Sequence, residues 1–349
     1  MARRAARGRS PRSPWPPRKA GISGTLVSLD EVREARRRIR ADVLRTPLIP
    51  DPHLSEALGA EVRLKCESLQ RTGSFKARGA CNFLARLTPE ELERGVITYS
   101  SGNHAQAVAL AAGLRGTSAV VVMPTTAPKV KVEGAERLGA RVELAGTTSE
   151  HRRARAEETA ASEGRVMVPP FDHRWIIAGA ATVAHEVFEE WPEVETLVVP
   201  IGGGGLASGC AAALRRLKPE SRVVGVEPYG APTMRSALEA GRPLTLEVEG
   251  APDTIADGLA PIRVGDLTHA HAEALLAGVE LVGDDEIRRA ALHLLERARL
   301  VVEFSGAATV AALLAGRVAT PGRRTCAVLS GGNMDPVLLS ELVGRRGWR

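Results

Sequence analysis

Aromatic residues are scarce in this chain: five Phe, four Trp and two Tyr make up only 3% of its 349 residues. Proteins that bind single-stranded nucleic acid stack bases on aromatic side chains, and few are present for that purpose. No apolar run reaches the roughly 18 to 20 residues that span a membrane, and the N-terminus lacks the apolar middle of a secretory signal. We therefore predict a cytoplasmic protein with no nucleic-acid or membrane partner.

Cysteine is equally rare, and the four cysteines form no pair with metal-binding or redox spacing. All lie in apolar stretches, so we expect reduced, buried thiols. They are Cys66, Cys81, Cys210 and Cys326. The eight histidines show no zinc spacing either. His269 and His271 have no third ligand nearby, which predicts a surface position for both.

Positive charge is concentrated in the first 24 residues. They contain seven Arg or Lys residues and no acidic residue, so their net charge is +7. The whole chain carries +6, and the remainder therefore carries −1. A segment rich in Arg, Pro, Ser and Gly is typical of disorder, and we predict a disordered basic tail over residues 1–24. Two origins stay open for it: an organelle transit peptide, whose amphipathic helix the prolines would interrupt, and a start codon assigned too far upstream.

Buried strands alternate with amphipathic helices through the rest of the chain. Several strands are rich in valine and lack two-residue alternation, as in strands covered on both faces. The predicted strands are Val62–Leu64, Val96–Tyr99, Ala119–Met123, Arg141–Leu144, Val166–Val168, Thr196–Pro200, Arg222–Glu227 and Thr325–Leu329. The predicted helices include His104–Leu114, Lys129–Leu138, Glu150–Ser162, Ile177–Glu190 and Leu206–Arg216, and a further helical pattern opens at Leu29. This order and length predict an α/β protein with mostly parallel sheets covered by helices, either two domains or one subdivided domain.

A run of four glycines, Gly202–Gly205, follows the strand Thr196–Pro200 and precedes a helix that begins at Leu206. Such a junction presents free backbone N–H groups and the positive end of a helix dipole to an anion. Without Cβ atoms the backbone can approach a phosphate closely. No Gly-Lys-Ser/Thr follows, so this is not a nucleoside-triphosphate loop. It predicts a monophosphate site; a purely structural turn is the alternative.

Two polar loops also follow predicted strands. They are Ser100-Ser101-Gly102-Asn103-His104 and Ser330-Gly331-Gly332-Asn333. Ligands of open α/β sheets bind at the carboxyl ends of strands. There the first loop offers hydroxyls and an amide, and the hydroxyl of Ser330 could bond a pyridine nitrogen. A helix cap and an ordinary turn, respectively, are the alternatives.

The segment from Lys65 to Ala80, which contains Ser74-Phe75-Lys76-Ala77-Arg78-Gly79-Ala80, resembles the Schiff-base segment of the fold-type-II pyridoxal-phosphate enzymes nearly residue for residue. The three motifs above follow in that family's order. Thr254–Gly258 and Val226-Glu227-Pro228 match in kind and order, and the resemblance covers about Ser28 to Val337. The chain is most similar to threonine/serine dehydratases (threonine ammonia-lyases) and serine racemases. The resemblance implies a tryptophan-synthase-β-like α/β fold and bound pyridoxal 5′-phosphate.

The resemblance also implies a role for each matching residue. Lys76 would form the Schiff base and act as the base on one face of the substrate, and Ser101 would be the acid or base on the other face. Phe75 and Gly258 would lie on either side of the cofactor ring. The other cofactor contacts would come from Asn103, Gly202, Gly203, Gly204, Gly205, Leu206, Glu303 and Ser330. The substrate contacts would come from Ser100, Ser101, Asn103 and His104.

By the same resemblance, residues 25–94 and 172–349 would form a large cofactor-binding domain and residues 95–171 a small substrate-clamping domain. A homo-oligomer, dimer or tetramer, is implied as well. Three positions depart from the family pattern. Phe304 replaces a usual Pro, which would change the wall beside the ring, and Ala178–Thr182 lacks the usual Gln-Gly. Racemases bind a cation through a Glu, here Glu227, and an Asp six residues later, where this chain has Thr233; the site is incomplete, so we predict no metal.

The implied activity is an ammonia-lyase that converts L-threonine and/or L-serine to 2-oxobutanoate or pyruvate and ammonia by α,β-elimination. The alternatives are a serine racemase and a dehydratase of another β-hydroxy amino acid, such as 3-hydroxyaspartate. The intact Lys76 opposes a cofactor-free regulatory relative. A polyanion binder would act through residues 1–24 alone. One methyl group changes specificity by only ~1 to 3 kcal/mol, so no motif decides between threonine and serine.

Overall fold

The computed structural model describes residues 26–100, 102–127, 129–248, 250–318 and 324–344. The predicted tail, 1–24, lies outside the described residues. Within the described residues, ten strands form two sheets. They are β1 Leu48–Pro50, β2 Glu61–Cys66, β3 Val96–Tyr99, β4 Ala119–Met123, β5 Arg141–Leu144, β6 Val166–Met167, β7 Thr196–Pro200, β8 Arg222–Pro228, β9 Gly278–Val282 and β10 Arg324–Leu329.

The first sheet has the strand order β1-β2-β10-β7-β8-β9 and the second the order β5-β4-β3-β6. All neighbours are parallel except β1, which runs antiparallel to β2 with Leu48 opposite Lys65. Parallel strands need crossovers, and helices supply them on both faces of each sheet. The predicted mostly parallel α/β architecture is confirmed.

Fourteen α-helices accompany the strands within the described residues. They are α1 Leu29–Ile39, α2 Pro52–Leu58, α3 Lys76–Leu84, α4 Pro89–Arg94, α5 Asn103–Leu114, α6 Lys129–Arg137, α7 Ser149–Glu163, α8 Arg174–Glu190, α9 Gly205–Leu217, α10 Thr233–Ala240, α11 Asp266–Leu275, α12 Asp284–His293, α13 Phe304–Leu314 and α14 Pro336–Gly344. Short 3₁₀ turns include Arg71–Gly73 and Asp257–Leu259, and Leu294–Ala298 is a π turn. No helix among these is long and apolar enough to cross a membrane.

The first sheet is covered on both faces. Leu197 and Val199 of β7 point into one hydrophobic cluster and Val198 into the other, and all three are fully buried. The continuous apolar run of β7 is therefore the sequence signature of a two-faced strand. A third cluster surrounds the second sheet and includes Ala80 and Leu84 of α3. The interior is thus organised around two sheets, with α3 between them.

Helix α3 packs against α5 on one side and α8 on the other. A Cβ at Gly179 of α8 would lie 2.5 Å from the backbone oxygen of Arg78, so only glycine permits this approach. Ala180, where the family pattern departs, is buried in the first cluster and does not line the active-site cavity described below. The departure in Ala178–Thr182 therefore concerns helix packing.

The predicted strands and helices are all present, with ends that differ by up to three residues. Strands β1 and β9 were not predicted. The four cysteines are buried and free, as expected. The prediction for the two histidines was wrong: His269 is 5% and His271 0% exposed. His271 accepts a hydrogen bond from the backbone N–H of Val27 at 2.9 Å, which joins the start of the described chain to α11.

Candidate active site

A cavity of about 590 Å³ lies where the carboxyl ends of β3, β7 and β10 meet. It gathers nearly every residue that the sequence motifs predicted. Its lining includes Phe75, Lys76, Ser100, Asn103, His104, Gly202, Gly203, Gly204, Gly205, Leu206, Gly258, Glu303 and Ser330. Ser101 lies outside the described residues. The four motifs are distant in sequence, and the two sheets bring them to one place.

Lys76 begins α3 and projects into this cavity. Its Nζ donates a hydrogen bond to the backbone oxygen of Pro170 at 2.8 Å and lies 5.3 Å from the centre of the Phe75 ring. Burial lowers the pKa of Lys76 from its ordinary value near 10.5 to about 8. About one tenth of the amine is therefore uncharged at pH 7 and about half at pH 8, and the uncharged form is the one that a nucleophile or base requires.

The glycine turn can accept no side chains. A Cβ at Gly202 would lie 2.7 Å from the backbone oxygen of Gly258, and one at Gly203 would lie 2.2 Å from the Phe171 ring. Gly204, with φ of +95°, adopts the left-handed conformation and begins α9 without a side-chain cap. The N–H groups of the first turn of α9 thus stay free of a cap at the cavity wall, which suits a phosphate.

His104, in the polar loop after β3, is buried and electrically neutral. Burial, and secondly the charge of Lys76, lowers its pKa to about 3. Its Nε2 lies 3.3 Å from the backbone oxygen of Val168, so in the tautomer that donates this bond Nδ1 is a buried acceptor with no partner among the residues that the structure describes. The neutral ring does not contribute positive charge to the cavity.

Asn103 is fixed by partners from two other segments. Its Oδ1 accepts a hydrogen bond from Asn333 at 2.7 Å, and its Nδ2 donates to Glu303 at 2.6 Å. Asn333 also donates to the backbone oxygen of Thr72 at 2.8 Å. Burial, and secondly the nearby Asp257 carboxylate, raises the pKa of Glu303 to about 7. The orientation of the Asn103 amide is therefore set by its surroundings before a ligand enters.

Ser330 ends β10 with its side chain nearly buried, at 5% exposure. Its backbone oxygen accepts from Phe75 N at 3.0 Å, whereas its hydroxyl has no hydrogen-bond partner among the residues that the structure describes. Gly258 N donates to the hydroxyl of Ser305 at 2.9 Å, which holds the Gly258 backbone beside the glycine turn. A free hydroxyl and a flat glycine wall are compatible with an aromatic ring nitrogen in the cavity.

The positions at which the sequence departs from the family pattern do not line the cavity. Phe304 packs in the second core cluster, so the predicted change to the wall beside the ring is not produced by its side chain. Glu227 accepts the backbone N–H groups of Met234 and Arg235 at 2.7 and 3.0 Å, and burial raises its pKa to about 8. Thr233 donates to the backbone oxygen of Pro261. No group of three or more potential metal-ligating side chains occurs in the described part of the chain.

Four charged residues that line this cavity had no predicted role: Lys131, Glu150, Arg152 and Asp257. Lys131 of α6 and Asp257 form an ion pair at 2.5 Å that joins the second sheet's helices to the first sheet's loops at the cavity. Arg152 of α7 also lines the cavity, and its Nε is buried without a hydrogen-bond partner within the described residues. Of these four residues only Asp257 lies in a segment that matches the family pattern, Thr254–Gly258, and the folded arrangement places all four together.

Residues 39–331 match the family model described as pyridoxal-phosphate dependent enzyme. The chain belongs to this family. The sequence of this pyridoxal-phosphate-dependent enzyme is 41% identical to L-threonine ammonia-lyase of Thermotoga maritima over 92% of this chain and 79% of that one. It is 38% identical to the catabolic L-threonine dehydratase of Escherichia coli K12, over 91% and 96%.

Solved structures show the same relationship. The crystal structure of serine racemase from Dictyostelium discoideum superposes with a TM-score of 0.83 at 36% identity, and covers 89% of this chain and 99% of that one. The predicted family, fold-type-II class and pyridoxal-phosphate dependence are confirmed. The cavity fits this cofactor because it offers a glycine turn that excludes Cβ atoms, the hydroxyl of Ser330 in its lining and a buried lysine.

Proposed function

We propose that the protein is an ammonia-lyase that converts L-threonine and/or L-serine to 2-oxobutanoate or pyruvate and ammonia. The observation that carries the proposal is the meeting of Lys76, the glycine turn and the Ser100–His104 loop in one cavity. Relatives at about 40% identity named for this reaction support it. The reaction loses water from the amino acid and regains it on release of ammonia, so no further reactant is needed.

The chain's residues would hold the cofactor as follows. Lys76 would bind it covalently, Gly202–Leu206 would take its phosphate, and Asn103 would bond its 3-oxygen. Phe75, Gly258 and Glu303 would border the ring, and the hydroxyl of Ser330 would meet the ring nitrogen. When bound, pyridoxal phosphate supplies a sink for the electrons that the breaking Cα–H bond releases.

The substrate would be oriented by the loop after β3. The Ser100 hydroxyl and the backbone N–H of Asn103 would be donors for its carboxylate, with neutral His104 as the wall beside them. The Lys76 amine would take the α-proton, since its pKa of about 8 leaves it partly unprotonated near neutral pH. We propose Ser101 as the acid or base on the opposite face. Fixing Cα–H beside Lys76 supplies much of the rate through orientation.

We also propose the division into a large domain, residues 25–94 and 172–349, and a small substrate-clamping domain, residues 95–171. The strands of the second sheet all fall between Val96 and Met167, which supports it. Lys131 and Asp257 would form a contact between the two domains at the cavity. Closure over the substrate would exclude water from the reacting atoms.

The test is the release of 2-oxo acid and ammonia from a panel of β-hydroxy amino acids, with the chirality of remaining substrate followed in parallel. We expect stoichiometric oxo acid and ammonia from L-threonine, L-serine or both. Recovery of D-serine without oxo acid would contradict the lyase assignment and favour the racemase.

A second candidate substrate, 3-hydroxyaspartate, is favoured by Arg152. Its guanidinium lines the cavity, its Nε has no hydrogen-bond partner in the described part of the chain, and a side-chain carboxylate of the substrate could pair with it. If this candidate is correct, Arg152→Gln lowers kcat/KM for 3-hydroxyaspartate by about tenfold or more, or ~1.4 kcal/mol, and leaves L-threonine nearly unchanged. Equal losses for both substrates would count against it.

A further inference from the structure

A second cavity, of about 500 Å³, shares no lining residue with the active-site cavity. It lies between the last turn of α1, the segment that follows α1, α3 and α8. Five of its nine lining residues are arginines and only one is acidic. The lining residues are Arg36, Arg37, Ile39, Arg40, Val43, Arg45, Arg78, Thr182 and Glu186. We call it the arginine cavity.

The floor of the arginine cavity is a buried ionic cluster. Arg78 is fully buried and donates to Glu67 at 2.7 and 2.8 Å and to Glu186 at 2.7 and 2.8 Å. It also donates to the hydroxyl of Thr182 at 3.1 Å. Lys65 pairs with Glu186 at 2.7 Å. The floor is therefore saturated with partners and rigid.

The walls carry the unbalanced charge. Arg36 and Arg45 share Glu189, at 2.5 and 3.2 Å, and Arg45 also reaches Glu190. Arg37 and Arg40 have no carboxylate within ion-pair distance among the described residues. Walls and floor together contain six cations and four carboxylates. The cations are Arg36, Arg37, Arg40, Arg45, Arg78 and Lys65, and the carboxylates are those of Glu67, Glu186, Glu189 and Glu190. Two positive charges remain at the walls.

We propose that the arginine cavity binds a small dianion, such as a phosphate monoester or a dicarboxylate. Its volume is within the range of small-molecule sites, roughly 300 to 1,000 Å³. Guanidinium groups bind phosphate and carboxylate in a bidentate manner, and Arg36 and Arg37 in the last turn of α1 and Arg40 directly after it supply them. A ligand with two negative charges would neutralise the two charges that the protein leaves unpaired.

The arginine cavity is linked to the active-site Lys76 through helix α3. Arg78, the floor, lies two residues after Lys76 on α3, and Glu186, which it binds, lies on α8 against which α3 packs. A dianion bound by Arg36, Arg37 and Arg40 would lie at the end of α1, which packs against both α3 and α8. The ligand is thus expected to change the activity as well as the stability of the enzyme, although the binding test does not depend on the reaction.

The experiment is calorimetric titration of the holoenzyme with inorganic phosphate and, separately, with succinate, at constant ionic strength set with sodium chloride. The holoenzyme is used because its own cofactor occupies the glycine turn. We expect saturable one-site binding of at least one of the two dianions. Tighter binding of phosphate would assign a phosphate monoester, and tighter binding of succinate would assign a dicarboxylate.

The variant Arg37→Gln/Arg40→Gln is expected to weaken this binding at least tenfold. The matched control is Arg242→Gln/Arg297→Gln, which removes two exposed arginines outside the cavity that also lack an ion-pair partner in the described structure. It should bind within twofold of the wild-type affinity. Retained cofactor absorption will show that both variants are folded. No saturable binding to the wild type, or equal affinity in the Arg37→Gln/Arg40→Gln variant, would overturn the proposal.

Discussion

Arg78 holds two carboxylates in the protein interior, so Arg78→Met is expected to destabilise the fold strongly. The Arg78 and Glu67 side chains are 0% exposed and that of Glu186 is 7% exposed. Methionine fills much of the volume but leaves Glu67 with only the hydroxyl of Thr46, at 2.5 Å, and Glu186 with Lys65. Breaking one buried ion pair costs about 3 to 5 kcal/mol, because the remaining charge stays buried. Since Lys65 still compensates Glu186, we expect a loss in that range and not twice as much.

The assay is urea unfolding of the wild-type and variant holoenzymes. If the dependence of the unfolding free energy on urea concentration has the same slope in both, the difference between their midpoints gives the change in free energy of unfolding. The double variant Glu67→Gln/Arg78→Met removes the unpaired carboxylate as well. It should recover about 1 to 3 kcal/mol relative to the sum of the single variants. A loss below about 1 kcal/mol for Arg78→Met, the range of exposed pairs, with no recovery in the double variant, would refute this reasoning.

The pH dependence provides a second check. Burial opposes the ionisation of Glu186, but the charges and hydrogen bonds of Arg78 and Lys65 outweigh it and lower its pKa below the ordinary 4.5. The stability that this group contributes is therefore present above pH 4.5 and is lost as the pH falls further. In Arg78→Met, Glu186 protonates more readily, because burial still opposes its ionisation and only Lys65 remains to lower its pKa. The stability difference between wild type and variant should then narrow from pH 7 towards pH 4.5.

Three further predictions concern the active-site cavity. Gly203→Ala places a Cβ 2.2 Å from the Phe171 ring, so the affinity for the cofactor should fall by about tenfold or more, ~1.4 kcal/mol. Titration of the apoenzyme with the cofactor measures this affinity, and an unchanged value would show that the Phe171 ring can move freely. The rate at which the apoenzyme takes up the cofactor should rise about tenfold per pH unit up to pH 8 and then level off, because only the unprotonated Lys76 amine attacks the aldehyde. A plateau that begins only near pH 10.5 would contradict the lowered pKa of Lys76. Asp257→Asn removes the negative charge that pairs with Lys131 and should raise KM for the amino acid by up to about fivefold, the ~1 kcal/mol of a partly exposed pair. An unchanged KM in steady-state kinetics would exclude a role of this ion pair in closure.

The sequence predicted the elements that carry long apolar or periodic patterns. Strands such as Thr196–Pro200 are buried on both faces, and that environment leaves a continuous apolar run in the chain. Strand β1 has three residues, ends in Pro50 and lies at the sheet edge, where little burial is imposed on the sequence. His269 and His271 were misjudged because backbone groups satisfy their ring nitrogens, and no local pattern records such partners.

The candidate site could be predicted where function requires a glycine, a lysine or a hydroxyl within a short motif. Lys76, Gly202–Gly205 and Ser330 are of this kind, and they meet in the cavity. Residues that act through tertiary contacts left no such signal. The partners of Arg78 lie 11 and 108 positions away, and Arg152 reaches the cavity from the surface of α7. Single-sequence reasoning supplies the reactive groups, and the fold supplies the charges around them.

The central claim, that Lys76 carries the cofactor of an amino-acid lyase, is tested most directly by one paired measurement. Visible cofactor absorption and 2-oxo-acid release from L-threonine and L-serine are recorded on the same preparations of wild type and Lys76→Ala. We predict a yellow, active wild type and a colourless, inactive variant with the same far-ultraviolet circular dichroism. A colourless wild type that still releases oxo acid, or an active Lys76→Ala variant, would contradict the account.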